Sequence, residues 1–324
     1  MASLHSPLNL GMIASYYNIS HTTIERFSSS VTSKTNLKGL LEILASASEF
    51  EQLPIRPGEE ESIKRLINHL PYSFENPKYT DPHVKANALL QAHLSRRMVV
   101  GNLAFDQREV LLSATRLLQA MVDVVSSNGW LSLALLTMEV SQRATQGLWH
   151  RNSMLLQLPH LTEELVNKCQ ENRIETVFDL VEMKDDEKRV LLQMSDFQLR
   201  HIARFCNRFP DIYLKSHVLD SDNVSAGDNR RRTEVGPVIA PRYPGTKEEG
   251  WWLVVGDTMS NQLLAIKRVI TLQRKSKVKL DFAAPAEAGT RNYTLYFMCD
   301  SYLGCDREYN FTLNVKEAMA EDDS

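Results

Sequence analysis

The amino-acid sequence predicts an α+β fold, in which a helical N-terminal half is followed by short helices and then by a β-rich C-terminal third. Three observations support this prediction. Apolar residues recur at helical spacing up to about residue 157, short helical runs alternate with polar breaks from 158 to 210, and apolar and polar residues alternate after Pro210. Helices first and strands last is an order typical of the α+β class.

The first part, residues 1–157, is predicted to be a helical bundle. One helix begins at Asp81-Pro82, because aspartate caps free N–H groups and proline is tolerated at the first helical position. A second is expected to begin after Asp106 and to end at Asn128-Gly129, where glycine adopts the left-handed conformation of a helix end. A third is expected over residues 130–149.

The second part, residues 158–210, is predicted to hold four short helices. Thr162 and Ser195 precede acidic first turns, which the helix dipole favours. The helices are expected over residues 161–170, 174–181, 187–194 and 197–209. This arrangement resembles a helix–hairpin–helix unit, although it lacks the glycine typical of the hairpin turn.

The third part, residues 211–318, is predicted to be an immunoglobulin- or fibronectin-like β-sandwich. Six strands are expected, over residues 212–219, 251–255, 263–270, 277–282, 293–298 and 309–315. Residues 221–232 are poor in apolar side chains and are predicted to form a loop. Residues 319–324 are expected to be an acidic tail.

The composition limits the possible functions. The 324 residues carry a net charge of −3 and four cysteines, which excludes a generally basic nucleic-acid coat and a disulfide-based scaffold. No run of about 18 apolar residues occurs, and no basic segment precedes an apolar one near Met1. We therefore expect an intracellular protein without a membrane partner.

Sequence motifs of catalysis are missing. There is no triphosphate-binding loop, no dinucleotide-binding glycine motif, no nucleophile elbow and no zinc-protease motif. Cys299 and Cys305 have no second Cys or His pair at zinc spacing, so two reduced thiols are a better interpretation than a metal site. The sequence predicts no catalytic residue, no cofactor and no metal.

Polar and basic side chains of the helical part form the first candidate binding site. Arg96 and Arg97 end one predicted helix, and Arg116 lies on the polar face of the next. One interpretation is complementation of the helix dipole and a solvated face. The other is a helix beside a nucleic-acid strand, with Ser95, Ser113 and Arg116 contacting phosphates. On that interpretation all five residues are RNA-contact candidates.

A basic segment of the β-rich part is the second candidate, for docking an acidic protein or RNA. Its members share one predicted hairpin and are Lys267, Arg268, Arg274, Lys275, Lys277 and Lys279. Lysines on exposed strands also prevent aggregation, so two interpretations remain open. Trp251 is a further docking candidate, since alternation buries one of Trp251 and Trp252 and leaves the other exposed or covering a seam within the chain.

The order of the three parts and several sequence blocks resemble the Sec-63 homology unit, which follows the helicase core in large DExH-box RNA helicases. The resemblance is strongest to the C-terminal unit of the two-cassette spliceosomal helicases of the U5 small nuclear ribonucleoprotein. The blocks that carry it are PLNLGMIA at residues 7–14, DPHVK at 81–85, LLQAHLSR at 89–96, SSNGW at 126–130, ARFCNR at 203–208, GPVIAP at 236–241, EEGWW at 248–252 and YTLYFM at 293–298.

The resemblance implies a function. In this family the long helix of the bundle lines the channel by which single-stranded RNA leaves the helicase core. The matching positions here are Ser95 and Arg116, with Gln119 where active units can carry another basic residue. The second cassette is thought to regulate the first and to dock splicing proteins. We therefore expect a non-catalytic nuclear module of a spliceosomal RNA helicase, a monomer within a larger complex, that docks U5 splicing proteins and contacts single-stranded RNA weakly.

Two departures from the family leave alternatives open. The helicase core is missing, so this chain is either non-catalytic or a fragment of an ATP-dependent RNA helicase whose core lies outside it. The segment 220–233 looks short, and the resemblance implies that a further strand is lost there, which leaves a sandwich edge unpaired. A role in protein translocation is a further alternative, but it requires membrane spans and a longer acidic tail.

Overall fold

The computed structural model describes residues 10–219, 223–230, 236–270, 272, 275–283 and 287–315. The α-helices are α1 Leu10–Tyr17, α2 His21–Ser30, α3 Leu37–Ala45, α4 Glu59–Ile67, α5 Pro82–Leu94, α6 Asn102–Ser127, α7 Leu131–Gln146, α8 Glu163–Glu171, α9 Val177–Glu182, α10 Asp185–Leu192 and α11 Asp196–Arg208. The strands are β1 Ile212–Leu219, β2 Asn223–Arg230, β3 Trp251–Asp257, β4 Gln262–Val269, β5 Lys275–Asp281, β6 Gly289–Cys299 and β7 Arg307–Val315. The chain is therefore α+β, as predicted.

The predicted helix starts are confirmed by their caps. The Asp81 side chain accepts a hydrogen bond from the backbone N–H of His83, and the Thr162 side chain accepts one from Leu165. Ser195 forms a reciprocal capping box with Gln198. Side chains near each helix start therefore fix where these helices begin.

The predicted start of α6 after Asp106 is wrong, because the helix begins a turn earlier, at Asn102. Asp106 does not cap the helix. It is buried, and its carboxylate binds Lys85 at 2.6 Å and Arg56 at 2.5 Å. Lys85 is fully buried and also binds Glu59 at 2.7 Å. The aspartate that resembles a cap is thus part of a buried ion network joining α4, α5 and α6.

Helix α6 is also long enough and apolar enough to cross a bilayer. Its most apolar stretch is, however, 67% buried inside the protein. Burial of this kind is typical of the central helix of a bundle, and α6 packs against α1, α2, α5 and α7.

Strand β3 divides its side chains between two apolar cores. Trp252 and Val254 join the core shared by α1, α2, α3, α5, α6 and α7. Trp251, Leu253 and Val255 point the other way, into a core shared by the middle helices and both sheets. Because side chains alternate along a strand, this one segment connects the helical and β parts of the chain.

The strands form two antiparallel sheets, one with the order β1-β2-β5 and one with the order β4-β3-β6-β7. The predicted loop over residues 221–232 is wrong, since β2 lies there and pairs with both β1 and β5. The ladder on both sides supplies hydrogen bonds that outweigh the low strand propensity of this polar segment. β2 also occupies the place where we expected a lost strand to leave a gap.

The predicted basic hairpin is likewise corrected. β4 pairs with β3, whereas β5 pairs with β2, so the connection after β4 crosses from one sheet to the other. Both are edge strands of their sheets. Lys267 links them, because its Nζ donates to the carbonyl oxygen of Lys279 at 3.0 Å.

Candidate nucleic-acid interface and docking surface

A cavity of about 350 Å³ lies beside α6, and we call it the α6 cavity. Its lining includes Tyr16, Arg116, Gln119, Glu248, Arg268 and Ile270. Arg116 and Gln119 are neighbours one turn apart on the partly exposed face of α6. Arg116 makes no ion pair or hydrogen bond with the residues that the structure describes, so its guanidinium is free to bind an anion.

The floor of the α6 cavity is a buried carboxylate, Asp300, paired with two cations. Lys247 binds it at 2.8 Å, and Arg268 binds it through Nη2. Burial alone would raise the pKa of Asp300, but Lys247 and Arg268 outweigh that effect and the pKa is lowered. Two of the three basic side chains that line this cavity are therefore already engaged with a carboxylate of the protein.

A second carboxylate, Asp123, lies on α6 beyond Gln119. It accepts a hydrogen bond from the Tyr17 hydroxyl at 2.7 Å, which ties α1 to α6. Burial raises the pKa of Asp123 to about 6, although the Tyr17 hydrogen bond and the charge of Arg268 act in the opposite direction. Asp123 therefore takes up a proton at a higher pH than an ordinary aspartate does.

Most of the Arg96 guanidinium is engaged with the backbone, which does not favour the predicted contact with RNA. Its guanidinium donates to the carbonyl oxygens of Gly147 at 2.9 Å and Leu156 at 2.6 Å. Burial lowers the pKa of Arg96 to about 10, and nearby Arg242 acts in the same direction. The side chain thus satisfies carbonyl groups at the end of α7 and just beyond it, a structural function.

The other candidates of the helical part lie in different surroundings. The hydroxyl of Ser95 accepts a hydrogen bond from the indole of Trp149 at 2.8 Å. Arg97 is exposed and Ser113 is half-buried. Of the five RNA-contact candidates, only Arg116 lines the α6 cavity, so the structure does not bring the set together at this cavity.

Trp251 cannot serve as a docking residue, because it is fully buried and stacks on Phe297 with 4.7 Å between ring centroids. Trp252 is fully buried as well and lies under the guanidinium of Arg268, 4.2 Å from the ring centroid. The second indole therefore covers the seam between sheet and bundle, one of the two outcomes that alternation left open. Arg268 is likewise engaged in structure rather than exposed for a partner.

Three lysines of the predicted docking segment are exposed on adjoining edge strands. They are Lys267 on β4 and Lys277 and Lys279 on β5. Arg274 lies outside the described residues, and so does the side chain of Lys275, whose backbone begins β5. The basic surface that remains is thus a pair of neighbouring sheet edges, which we call the basic edge.

The described residues contain no group of three or more His, Cys, Asp or Glu side chains that could hold a metal. Cys299 and Cys305 are both free and buried, and burial raises the pKa of Cys305 well above its usual range. His93 is buried with its Nε2 2.7 Å from the carbonyl oxygen of Ala144. Cys299, Cys305 and His93 are therefore part of the buried interior of the protein.

Sequence reasoning missed Tyr16 as a surface feature of the site. It is 66% exposed, and its ring meets Tyr17 edge-on, with 4.8 Å between centroids. The adjacent tyrosines were the available signal, because a short amphipathic helix buries only one of two consecutive side chains. Tyr243 also lines the α6 cavity, with its hydroxyl 3.0 Å from that of Thr115. No pattern in the sequence indicated this position.

Comparison with known proteins assigns this architecture to a family. A family model described as the Sec63 Brl domain matches residues 7–312. The chain belongs to the Sec63 family. This confirms the resemblance that the sequence blocks indicated.

Sec63-family relatives of high similarity are RNA helicases. The chain is 69% identical to DExH-box ATP-dependent RNA helicase DExH12 of Arabidopsis thaliana and 52% identical to the U5 small nuclear ribonucleoprotein 200 kDa helicase of Homo sapiens. It is 41% identical to the activating signal cointegrator 1 complex subunit 3-like protein of Dictyostelium discoideum. The first two alignments cover 98% of this chain but only 15% of each relative.

The alignment with DExH12 extends over 331 positions, more than the 324 residues of this chain. The relative therefore carries residues that this chain lacks.

Proposed function

We propose that the chain is a non-catalytic accessory module of a spliceosomal RNA helicase and acts in the nucleus in pre-mRNA splicing. The observation that supports this is the similarity over 98% of the chain to the U5 small nuclear ribonucleoprotein 200 kDa helicase. We further propose that it works as a single copy within a larger complex. The domain boundaries at 157, 210 and 318, the helix–hairpin–helix character of the middle unit and the immunoglobulin-like class of the β part remain part of this proposal.

Docking of splicing proteins is assigned to the basic edge. Lys267, Lys277 and Lys279 are exposed there, and within the described part of the chain each of the two strands pairs in a sheet on one side only. Edge strands and lysines together suit an acidic partner that adds to a sheet. The lysines also discourage unwanted pairing between copies, so specificity and solubility are served by the same side chains.

A pull-down tests the docking proposal. The 324-residue chain is immobilised and nuclear extract is passed over it, and we expect U5 splicing proteins to be retained. Lys277→Glu/Lys279→Glu should reduce their recovery about tenfold, because charge reversal places like charges against an acidic partner. Lys34→Glu/Lys64→Glu, which changes two exposed lysines of the helical part, is the matched control. Equal recovery with both double variants, or no splicing protein at all, would contradict the proposal.

Weak contact with single-stranded RNA is assigned to α6. Arg116 is unpaired among the described residues and lines a cavity, which is the arrangement that a phosphate contact requires. With Lys247 and Arg268 committed to Asp300, one free guanidinium supports weak rather than tight binding.

Charge reversal at Arg116 tests the RNA contact. We expect Arg116→Glu to abolish binding of a single-stranded RNA in a fluorescence anisotropy titration and to leave the melting temperature nearly unchanged, since no described partner is lost. Arg108→Glu, an exposed position on the same helix, should bind nearly as the unchanged chain does. A fall in melting temperature that parallels the loss of binding would show that Arg116 is structural.

A second candidate function is that of a segment of an ATP-dependent RNA helicase. The 15% coverage of DExH12 favours it, because relatives carry this unit within a much longer chain. Sequencing the transcript upstream of the Met1 codon distinguishes the two, since the second requires an upstream reading frame with nucleotide-binding motifs.

A further inference from the structure

We infer that the α6 cavity is a one-nucleotide site, in which Tyr16 stacks on a base of single-stranded RNA while Arg116 binds the adjoining phosphate. The inference rests on the RNA contact proposed above and adds to it a base-stacking residue on α1, a different helix. Its basis is that an exposed aromatic ring and an unpaired guanidinium line the same small cavity.

The Tyr16 ring is held ready for stacking. Tyr17 meets it edge-on, with planes at 86°, and the Tyr17 hydroxyl is itself fixed to Asp123 on α6. With 66% of Tyr16 exposed, a base can approach it. Aromatic side chains beside a cationic group are the usual means of binding single strands, because every base has a π-face and every nucleotide carries a phosphate.

The remaining lining suits a base. Ile270 is 60% exposed and offers an apolar surface, while the Gln119 amide and the exposed Glu248 carboxylate offer hydrogen-bonding groups. A glutamate accepts hydrogen bonds from the amino groups of bases such as cytosine. At about 350 Å³ the cavity is at the small end of ligand sites, which fits a single flipped-out nucleotide.

An acidic peptide is the competing ligand, and the charges of the cavity disfavour it. Glu248 is exposed at the cavity and Glu249 lines it as well, whereas the carboxylate of Asp300 is already paired with Lys247 and Arg268. A peptide with consecutive acidic residues would bring like charges against the two glutamates. A nucleotide brings one phosphate for Arg116 and a neutral base for the remaining surface.

The test compares a twelve-nucleotide RNA with a matched abasic strand of ribose and phosphate, each titrated with the 324-residue chain and followed by fluorescence anisotropy. We expect Tyr16→Ala to weaken binding of the RNA about tenfold and to leave binding of the abasic strand unchanged, because only the base stacks. Tyr16→Trp should retain full affinity. The control is Tyr309→Ala. Tyr309 is exposed on β7, which lies at the opposite edge of its sheet from β4, the strand beside the cavity.

The variant Arg116→Gln tests the phosphate contact separately from base stacking. It should weaken binding of the RNA and of the abasic strand equally, because both carry the phosphate. If Arg116→Gln behaves so and Tyr16→Ala has no effect, the RNA contact stands and the nucleotide site is wrong. If Tyr16→Ala weakens binding of the RNA and of the abasic strand equally, Tyr16 has a structural function, and this result would also overturn the nucleotide site. If the unchanged chain binds no RNA, both the RNA contact and the nucleotide site are wrong. If an oligoglutamate peptide binds as tightly as the RNA and Tyr16→Ala weakens its binding, the α6 cavity is not a nucleotide site.

Discussion

At the scale of single residues, buried ionisable groups determine how this protein responds to pH. Asp123 is the clearest case, because burial raises its pKa to about 6. Between the ordinary aspartate value near 4 and pH 6, the folded chain binds a proton that the unfolded chain has lost. The resulting stabilisation is complete below that window and is lost as the pH rises through 6.

Asp123→Asn should therefore be more stable than the unchanged chain at pH 7.5. Asparagine keeps an acceptor for the Tyr17 hydroxyl and avoids the buried charge, and we expect a gain of about 1–3 kcal/mol. Urea denaturation at pH 5 and pH 7.5 measures it, and the gain should shrink at the lower pH. Asp281→Asn, at a carboxyl group that is 68% exposed, is the control. A pH-independent difference would contradict the assignment.

Single residues could be predicted from the sequence where their contacts are local, and not where those contacts come from distant parts of the chain. The caps at Asp81 and Ser195 were predictable, because side-chain capping is local. Asp106 was misjudged, since a buried ion pair with Lys85 depends on a contact 21 residues away in sequence. Trp251 was misjudged because both faces of β3 are covered, whereas alternation alone suggests that one face is wet.

At the scale of elements, β2 is the feature that sequence could not reveal. Its eight residues, Asn-Val-Ser-Ala-Gly-Asp-Asn-Arg, are mostly poor strand formers. The pairing that makes it a strand comes from β1 before it and from β5 some 50 positions later. The long-range half of that pairing leaves no local signal, whereas the alternating strands β4 and β5 could be predicted.

A proline in β2 tests whether this segment is a central strand. Gly227 pairs with Lys215 and Lys277, and Gly227→Pro removes an N–H from the ladder. We expect a loss of about 2 kcal/mol in unfolding free energy and faster hydrogen exchange of β5 amides. Thr258→Pro, after Asp257 in the exposed β3–β4 turn, should be tolerated. Unchanged exchange in β5 would show that residues 221–232 are a loop after all.

The candidate site was predictable only in part, for related reasons. Arg116 was found because the polar face of α6 follows from helical periodicity. The engagement of Arg96 with backbone carbonyls and of Arg268 with Asp300 depends on tertiary contacts that charge counting cannot see. Tyr16 became interesting only when folding placed α1 against α6.

At the scale of the whole molecule, the turn between β6 and β7 holds the parts together. Glutamines of α7 donate to the backbone here, Gln142 to Cys299 at the end of β6 at 2.8 Å and Gln146 to Ser301 in the turn at 2.9 Å. Gln157, further along the chain, donates to Leu303 at 2.8 Å. Because the turn is buried, these bonds satisfy carbonyl groups that would otherwise lack partners.

Asp300 in that turn should be a whole-molecule stability determinant. Asp300→Ala leaves Lys247 and Arg268 without their shared carboxylate in a largely buried setting, and we expect a loss of about 3 kcal/mol. Differential scanning calorimetry should show one cooperative transition at lower temperature, since the turn contributes Tyr302 and Leu303 to one core and is hydrogen-bonded to α7, a helix of the other. Asp281→Ala, whose pair with Lys279 is exposed, should change little. Two separate transitions would contradict the idea of a single cooperative unit.

Neighbouring residues of β4 serve opposite sides of the molecule. Lys267 is exposed at the basic edge, where its Nζ donates to Lys279, while Arg268 lies over Trp252 and borders the α6 cavity. One peptide bond thus connects the basic edge, the proposed docking surface, to the wall of the α6 cavity, the proposed nucleotide site. A partner bound at the basic edge that shifted the backbone of β4 at Lys267 would therefore also move Arg268, the next residue, in the wall of the cavity.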